Sequence, residues 1–502
     1  MPNAGTARDP SSARRRILAT LAAVASTLLL FGGHAVAGSW DHLHGDAANT
    51  GFATVITAPA SLPARRVAGI GQVPPGAGPV IGPDGTVYVV NLQGVLKAFS
   101  PAGDQKWKRD TPGRQIVASP VVGADGAIYV VGTTMSRDHR SGQTFTRYDA
   151  TLFKFTAGGG LLWRTDFPDK GLGTGLTSAS PNIWRGGGTE VVMVPVFYTT
   201  VGDYELHLLA FSTSGPLMFD QKVTAWSHGD VTSEADAGPW DAFCNFIPVC
   251  MNKLLGLDPV KEISIGDPPM PSVAMASSGG GPPIVVVADN YQYLVGYSFS
   301  PASGFKEVSR RHLNTGSMRM SSPAMLRDGH SAIRGNGPSE AWVLFGGPSV
   351  VEWPEVKIPL SGATPTLTVD GRIVMVNQDG DVTVIDPSRR RVINSVSLSG
   401  SFTDFKLSIA PASASCSHVF VSTTDVLATL DAKAGVVVEQ FFWRGGGVTS
   451  PAIGADGTVY ALAGDTLHIF APPSGRPPGP AWFCRSAPAV NPQGPGGGIL
   501  TR

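Results

Sequence analysis

Pro79-Val-Ile-Gly-Pro-Asp-Gly-Thr-Val-Tyr-Val89 is the stretch whose reading decides the fold. A short apolar run is followed by Asp84-Gly85, a hairpin pair whose glycine can take a positive φ. Thr86-Val-Tyr-Val-Val90 then carries the β-branched and aromatic residues that suit a strand. The pattern returns as Pro120-Val-Val-Gly-Ala-Asp-Gly-Ala-Ile-Tyr-Val130 and as Pro451-Ala-Ile-Gly-Ala-Asp-Gly-Thr-Val-Tyr-Ala461. Weaker copies start at Pro181, Pro271, Pro323, Pro365 and Pro411, and serine precedes several starts, as at Ser119, Ser180, Ser322 and Ser450. Start-to-start spacings are 41, 61, 90, 52, 42, 46 and 40 residues. A base period near 40–46 with insertions predicts a repeat architecture of propeller type.

Each unit reads as four short antiparallel strands. After the first hairpin comes a second turn, as at Gln93-Gly94 and Asp379-Gly380. A third strand such as Val95-Leu-Lys-Ala-Phe99 leads to Pro101-Ala-Gly103, and a fourth strand carries Trp107. Trp163 and Phe219 occupy the same offset in the next two units, where a large flat side chain would pack between adjacent sheets. Strands this short need neighbouring sheets, and a ring leaves only short protected edges. No long apolar stripe of helical period occurs outside the N-terminus. The expected fold is all-β, an eight-bladed propeller of four-stranded blades, with seven blades as the alternative. Either residues 62–72 or the strand around Trp482 is expected to complete the last blade.

Composition agrees. The 502 residues include 62 Gly and 41 Pro, only 15% are charged, and 38 Lys+Arg balance 38 Asp+Glu. Zero net charge argues against a nucleic-acid binder. Residues 1–37 read as a secretory signal: Arg14-Arg15-Arg16, an apolar stretch from Ile17 to Phe31, and Ala35-Val36-Ala37 as the cleavage pattern. The arginine run also allows a twin-arginine signal. The apolar run is too short to span a bilayer. Cleavage after Ala37 leaves 34 basic and 37 acidic residues, a charge of −3. The expectation is an exported monomer, periplasmic or extracellular, with no integral membrane segment, and a disordered tail at 487–502.

Cys244, Cys250, Cys416 and Cys484 suit an oxidising compartment. Cys244 with Cys250 would close a small loop, and Cys416 with Cys484 would join neighbouring repeats, but sequence permits three connectivities.

The proline-started Gly-x-Asp-Gly-x-Val-Tyr pair, the Ala98-Phe-Ser100…Gly103…Trp107 ending, and the opening Trp40-Asp-His-Leu-His-Gly45-Asp46-Ala-Ala-Asn-Thr-Gly51 together resemble the PQQ-like β-propeller repeat family. The resemblance covers roughly 38–486 and is closest in repeats one, two and eight. It implies eight blades. It does not settle function. Some relatives are quinoprotein dehydrogenases with pyrroloquinoline quinone and calcium on the axis and usually a vicinal disulfide. None of the four cysteines here is adjacent to another, and no calcium-ligand or catalytic aspartate motif can be carried over. Other relatives are scaffolds without enzymatic activity.

No Gly-x-Ser-x-Gly, His-Glu-x-x-His or phosphate-loop signature occurs. Glycine clusters at 158–160, 186–188, 279–281 and 445–447 read as turns. Asn377-Gln-Asp379-Gly-Asp381 resembles a calcium loop but lacks the later glycine and glutamate, and falls where a hairpin turn is due. Asp41, His42, His44 and Asp46 could place two imidazoles on one strand face for a metal, or form a polar closing segment. The largest departure from the repeat is an insertion at about 223–268, with Trp226, His228, Asp230 and Trp240 as candidate ligand-binding residues, since insertions in repeat folds fall on loops of the binding face. The expected function is an exported, non-enzymatic binding or scaffold module for a protein or small-molecule partner. The alternative is a quinone- and calcium-dependent dehydrogenase of alcohols or sugars.

Overall fold

A computed structural model describes residues 40–472, apart from 228–270, 277–282, 313–318, 347–354, 401–409, 444–448 and shorter loop stretches. The chain divides into residues 1–37 and 38–502; the first unit lies outside the described residues. The described residues form no helix. They form eight antiparallel sheets arranged as the blades of a ring.

The innermost strand of each blade begins one to three residues after its proline: Val80–Ile81, Val121–Val122, Asn182–Gly186, Ala274–Ala276, Ala324–Met325, Thr366–Leu367, Ser413–Ala414 and Ala452–Ile453. In blade 5 that strand is split, because Arg319–Met320 also pairs with Ser331–Asn336. The hairpin glycines Gly85, Gly126 and Gly457 take the expected positive φ. Asn377 and Asp381 form a turn, with the Asp381 amide donating to Asn377 Oδ1 at 2.7 Å. The strand Arg65–Val67, which precedes blade 1 in sequence, pairs with Thr466–Phe470 and supplies the outer strand of blade 8. Ring closure therefore falls to residues within 62–72.

Middle strands such as Val87–Val90 are buried along their whole length, while outer strands such as Gln105–Asp110 are largely exposed. Burial on both faces explains the low charge of the chain. The apolar core is divided among the gaps between blades. Phe153, Phe155 and Ile128 of blade 2 pack on Tyr88 and Leu96 of blade 1, and Ile81 and Phe99 of blade 1 share a cluster with Ile453 and Ile469 of blade 8. Trp107 reaches from blade 1 to blade 2, where its Nε1 donates to Ala157 O at 2.9 Å and its ring lies over Gly159. Trp163 repeats the contact with Thr213 O of blade 3.

Around the axis serines at the blade starts link one blade to the next: Ser119, Ser180 and Ser322 precede a proline, and Ser272 follows Pro271. Gly78 N donates to Ser119 Oγ, Ser119 N to Ser180 Oγ, Ser180 N to Ser272 Oγ and Ser272 N to Ser322 Oγ, at 2.8–3.0 Å. Ser450 N donates to Ala77 O at 3.2 Å, joining blade 8 to blade 1.

Candidate functional site

Strand direction sorts the loops onto two faces. Each innermost strand runs from the crossover that enters its blade toward the Asp-Gly hairpin. The crossovers and the hairpins between second and third strands thus share one face, and the Asp-Gly turns lie on the other.

Among the described residues, the lengthened strands fall on blades 2 and 3 and extend toward the crossover face. In blade 2, Ile128–Arg140 and Gln143–Phe155 pair without a register shift, out to Arg140 opposite Gln143. Their neighbours in the blade stop early: the inner strand at Tyr129, the outer strand at Thr151. From Thr133 to Arg140 the two strands run on past the inner and outer strands of the blade, a ribbon of roughly 27 Å at about 3.4 Å per residue. In blade 3, Thr189–Thr199, Asp203–Ser212 and Leu217–Ser227 are all lengthened. The crossover between these blades joins the two walls. Gly173 bridges Tyr148, and Leu176 exchanges two backbone hydrogen bonds with Phe197 at 2.8 and 2.9 Å. Gly173 has φ +121° and lies so close to Tyr148 O that a Cβ would sit 2.2 Å away, so only glycine fits.

Charged groups stitch this rim together. Lys170 Nζ pairs with Asp220 Oδ2 at 2.6 Å, and the other Asp220 oxygen meets His207 Nδ1 at 2.5 Å. His207 Nε2 meets Glu205 Oε2 at 2.9 Å, and Lys222 caps Glu205. Both imidazole nitrogens of the buried His207 lie within hydrogen-bond reach of carboxylate oxygens. Burial raises the Asp220 carboxyl, but His207 and Lys170 prevail and hold it below the ordinary range. The bond from Lys222 chiefly lowers Glu205. Nearer the ribbon, Arg147 joins Asp149 at 2.9 Å and Asp169 at 2.8 Å.

Trp226 lies at the upper end of the outer strand of blade 3, its backbone opposite Tyr204. His228, Asp230, Trp240, Cys244, Cys250 and Cys484 lie outside the described residues, as does the rest of the insertion after Ser227. The chain enters the insertion from this rim and returns to the inner strand of blade 4. Cys416 is disulfide-bonded. It sits on the turn face of blade 7, where its amide donates to Val55 O at 2.8 Å.

Asp41, His42, His44 and Asp46 belong to neither a strand nor a metal cage. His42 Nδ1 bonds Asp41 Oδ1 at 2.6 Å, Asp41 Oδ2 bonds Arg185 at 2.8 Å, and Ile183 N donates to His42 Nε2 at 3.3 Å. Burial works to raise Asp41, yet His42 and Arg185 hold it low. Asp46 accepts from the amides of Ala48 and Thr50 and from the Thr50 hydroxyl, and burial raises its carboxyl. His44 is buried and pushed down to about 3 by that burial. These side chains hold the segment 40–57, whose carbonyls meet amides of the inner strands near their Asp-Gly-turn ends.

No family model matches the chain, and no curated protein does. Among solved structures it is similar to BamB from Moraxella catarrhalis (12% identity, TM-score 0.49, 82% of this chain and 99% of that one). It is also similar to the Dos1 propeller (10%, 0.49, 82% and 95%) and to the C-terminal WD40 domain of Sif2 (10%, 0.49, 84% and 100%). Likenesses at this level carry no inference about what the chain binds.

Proposed function

We propose that the chain is an exported binding or scaffold module whose partner, a protein or a small molecule, docks on the crossover face over blades 2 to 4. The observation that carries this reading is the one-sided departure from the repeat: the blade 2 ribbon, the lengthened strands of blade 3 and the start of the insertion share one face and one sector. Rigid blades beneath a variable face suit recognition, since a scaffold of strands positions loops more sharply than loops position themselves. Export is proposed from the signal at 1–37, and an oxidising compartment from the disulfide at Cys416. An N-terminus at Gly38 by mass spectrometry of the secreted protein would support it. Replacing 228–270 by a short linker should abolish capture of the partner while leaving the melting curve in place. Unchanged capture would overturn the role of the insertion.

The competing proposal is the quinone- and calcium-dependent dehydrogenase. A calcium–quinone site needs several carboxylate or amide oxygens converging on one cation. Among the described residues no group of three or more His, Cys, Asp or Glu side chains is placed to hold a metal. The inner-strand amides near the axis are taken by carbonyls of the chain's own residues 40–57. Reconstitution with the quinone and calcium is the direct test: stoichiometric quinone absorbance with dye-linked oxidation of alcohols or sugars would favour the enzyme.

A further inference from the structure

The inner edge of a propeller blade is an edge strand like any other, and its outward amides need acceptors. Here the acceptors come from one segment. Trp40 O receives Ile81 N of blade 1 at 2.7 Å, and Asp41 O receives Val122 N of blade 2 at 2.9 Å. The His42 imidazole receives Ile183 N of blade 3. Ala47 O receives Met275 N of blade 4, Ala48 O receives Met325 N of blade 5, Thr50 O receives Leu367 N of blade 6 and Gly51 O receives Ala414 N of blade 7, all at 2.7–2.9 Å. At blade 8, Ile56 O lies 2.5 Å from where a Cβ on Gly457 would be. One stretch of seventeen residues, from Trp40 to Ile56, visits all eight blades in ring order.

Side chains fix its register. Asn49, with φ +54°, donates through Nδ2 to Val273 O and Pro323 O, both at 3.0 Å, in two different blades. Gly51 has φ +64° and no room: a Cβ would lie 3.0 Å from Thr366 Cγ2 and 3.2 Å from Ala412 O. Trp40 folds over Gly45, and Arg185 clamps Asp41 from blade 3.

We propose that the central channel is a peptide-acceptor groove and that residues 40–57 are its ligand, a belt that holds the ring closed by strand-edge recognition and that binds as a separable segment. The recognition is the β-augmentation chemistry of extended peptides, with main-chain bonds for affinity and pockets for register, distributed over a ring of edges.

The test cuts the belt from the ring without removing it. A protease site placed between the exposed Ser61 and Leu62, in the full chain, is cleaved after folding. The fragment ending at Ser61 is expected to co-elute with the ring on gel filtration. The melting temperature of the cut protein should then fall on dilution and rise with added synthetic peptide 38–61, by mass action, while that of the uncut protein responds to neither. A peptide carrying Asn49→Ala and Gly51→Val should need at least tenfold more for the same rise. A melting temperature of the cut protein that ignores dilution and peptide would overturn the proposal. Hydrogen exchange on uncut Gly51→Val gives a second readout that does not need the cleavage site. The amides of Ile81, Val122, Met275, Met325, Leu367 and Ala414, in six blades, should lose protection together. Loss confined to blades 6 and 7, where Gly51 sits, would overturn it equally.

Discussion

Asn49→Ala is the most informative single change in the belt. Asn49 is 2% exposed, and its amide nitrogen joins carbonyls of blades 4 and 5. Since both partners are acceptors, the side chain must present its NH2 to them. Alanine deletes two hydrogen bonds worth about 1 kcal/mol each. It leaves the buried Pro323 O without that donor, whereas Val273 O keeps Asn182 Nδ2 at 2.7 Å. It also places a Cβ residue lacking a local hydrogen-bonding group at φ +54°, which adds about 1 kcal/mol. The expected loss is about 3 kcal/mol. Asn49→Gly removes the same bonds but tolerates the φ, so it should cost about 2 kcal/mol. Asn49→Asp keeps the shape but turns a carboxylate oxygen toward two carbonyls, and should be the worst of the three. Urea denaturation at pH 7 reads all three midpoints. A loss below about 0.5 kcal/mol for alanine, within the range of surface substitutions, or an aspartate variant more stable than the glycine one, would refute the reasoning.

Three further outcomes follow from the geometry. His44 and His468 are held neutral by burial, at about 3 and about 4, with Arg66 adding to the shift at His468. The unfolded chain binds more protons than the folded one below about pH 6.5, so stability falls as pH drops through that window, by about 1.4 kcal/mol per unit for each group. Denaturation at pH 7, 6 and 5 should show the slope, and His44→Gln should remove about half of it; an unchanged slope would contradict the burial argument. Glu205 and Asp220, with lowered values, add stability that is present above about pH 4 and lost below it. Asp220→Asn should therefore flatten the fall in stability between about pH 4 and pH 2 when the denaturation series is extended to that range. Trp107→Ala removes a ring packed between blades 1 and 2, at a cost of about 3 kcal/mol. Trp107→Phe, which loses only the bond to Ala157 and some area, should cost about 1 kcal/mol.

The blade repeat is legible where its turns are built by side chains. Blades 1, 2 and 8 carry Asp-Gly pairs, and those hairpins sit where the sequence places them. Blade 3 turns instead on Gly187-Gly188, directly between paired strands, which removes the Asp-Gly landmark and weakens the copy. The blade 2 ribbon left one trace, the 61-residue spacing, because Thr133 to Thr146 holds no strong alternation and its only turn signal is Ser141-Gly142. The rim network ties Lys170 to Lys222 through three intervening side chains, and nothing local marks such a chain. The opening motif was visible, but its principal work is done by backbone carbonyls, which every residue has. Spacing alone made Asp41, His42, His44 and Asp46 resemble ligands, since the i, i+2 rule applies only to a strand and this segment is none.

The claim that the partner docks on the crossover face is tested most directly by site-specific photo-cross-linking in the producing cells. Probes belong at Ser136 on the ribbon and Ala225 on blade 3, both exposed, with Asp104 and Lys433 on the turn face as comparators. The account predicts a discrete adduct from Ser136 and Ala225 and none from Asp104 or Lys433. Adducts from the turn-face positions, with none from the rim, would contradict it.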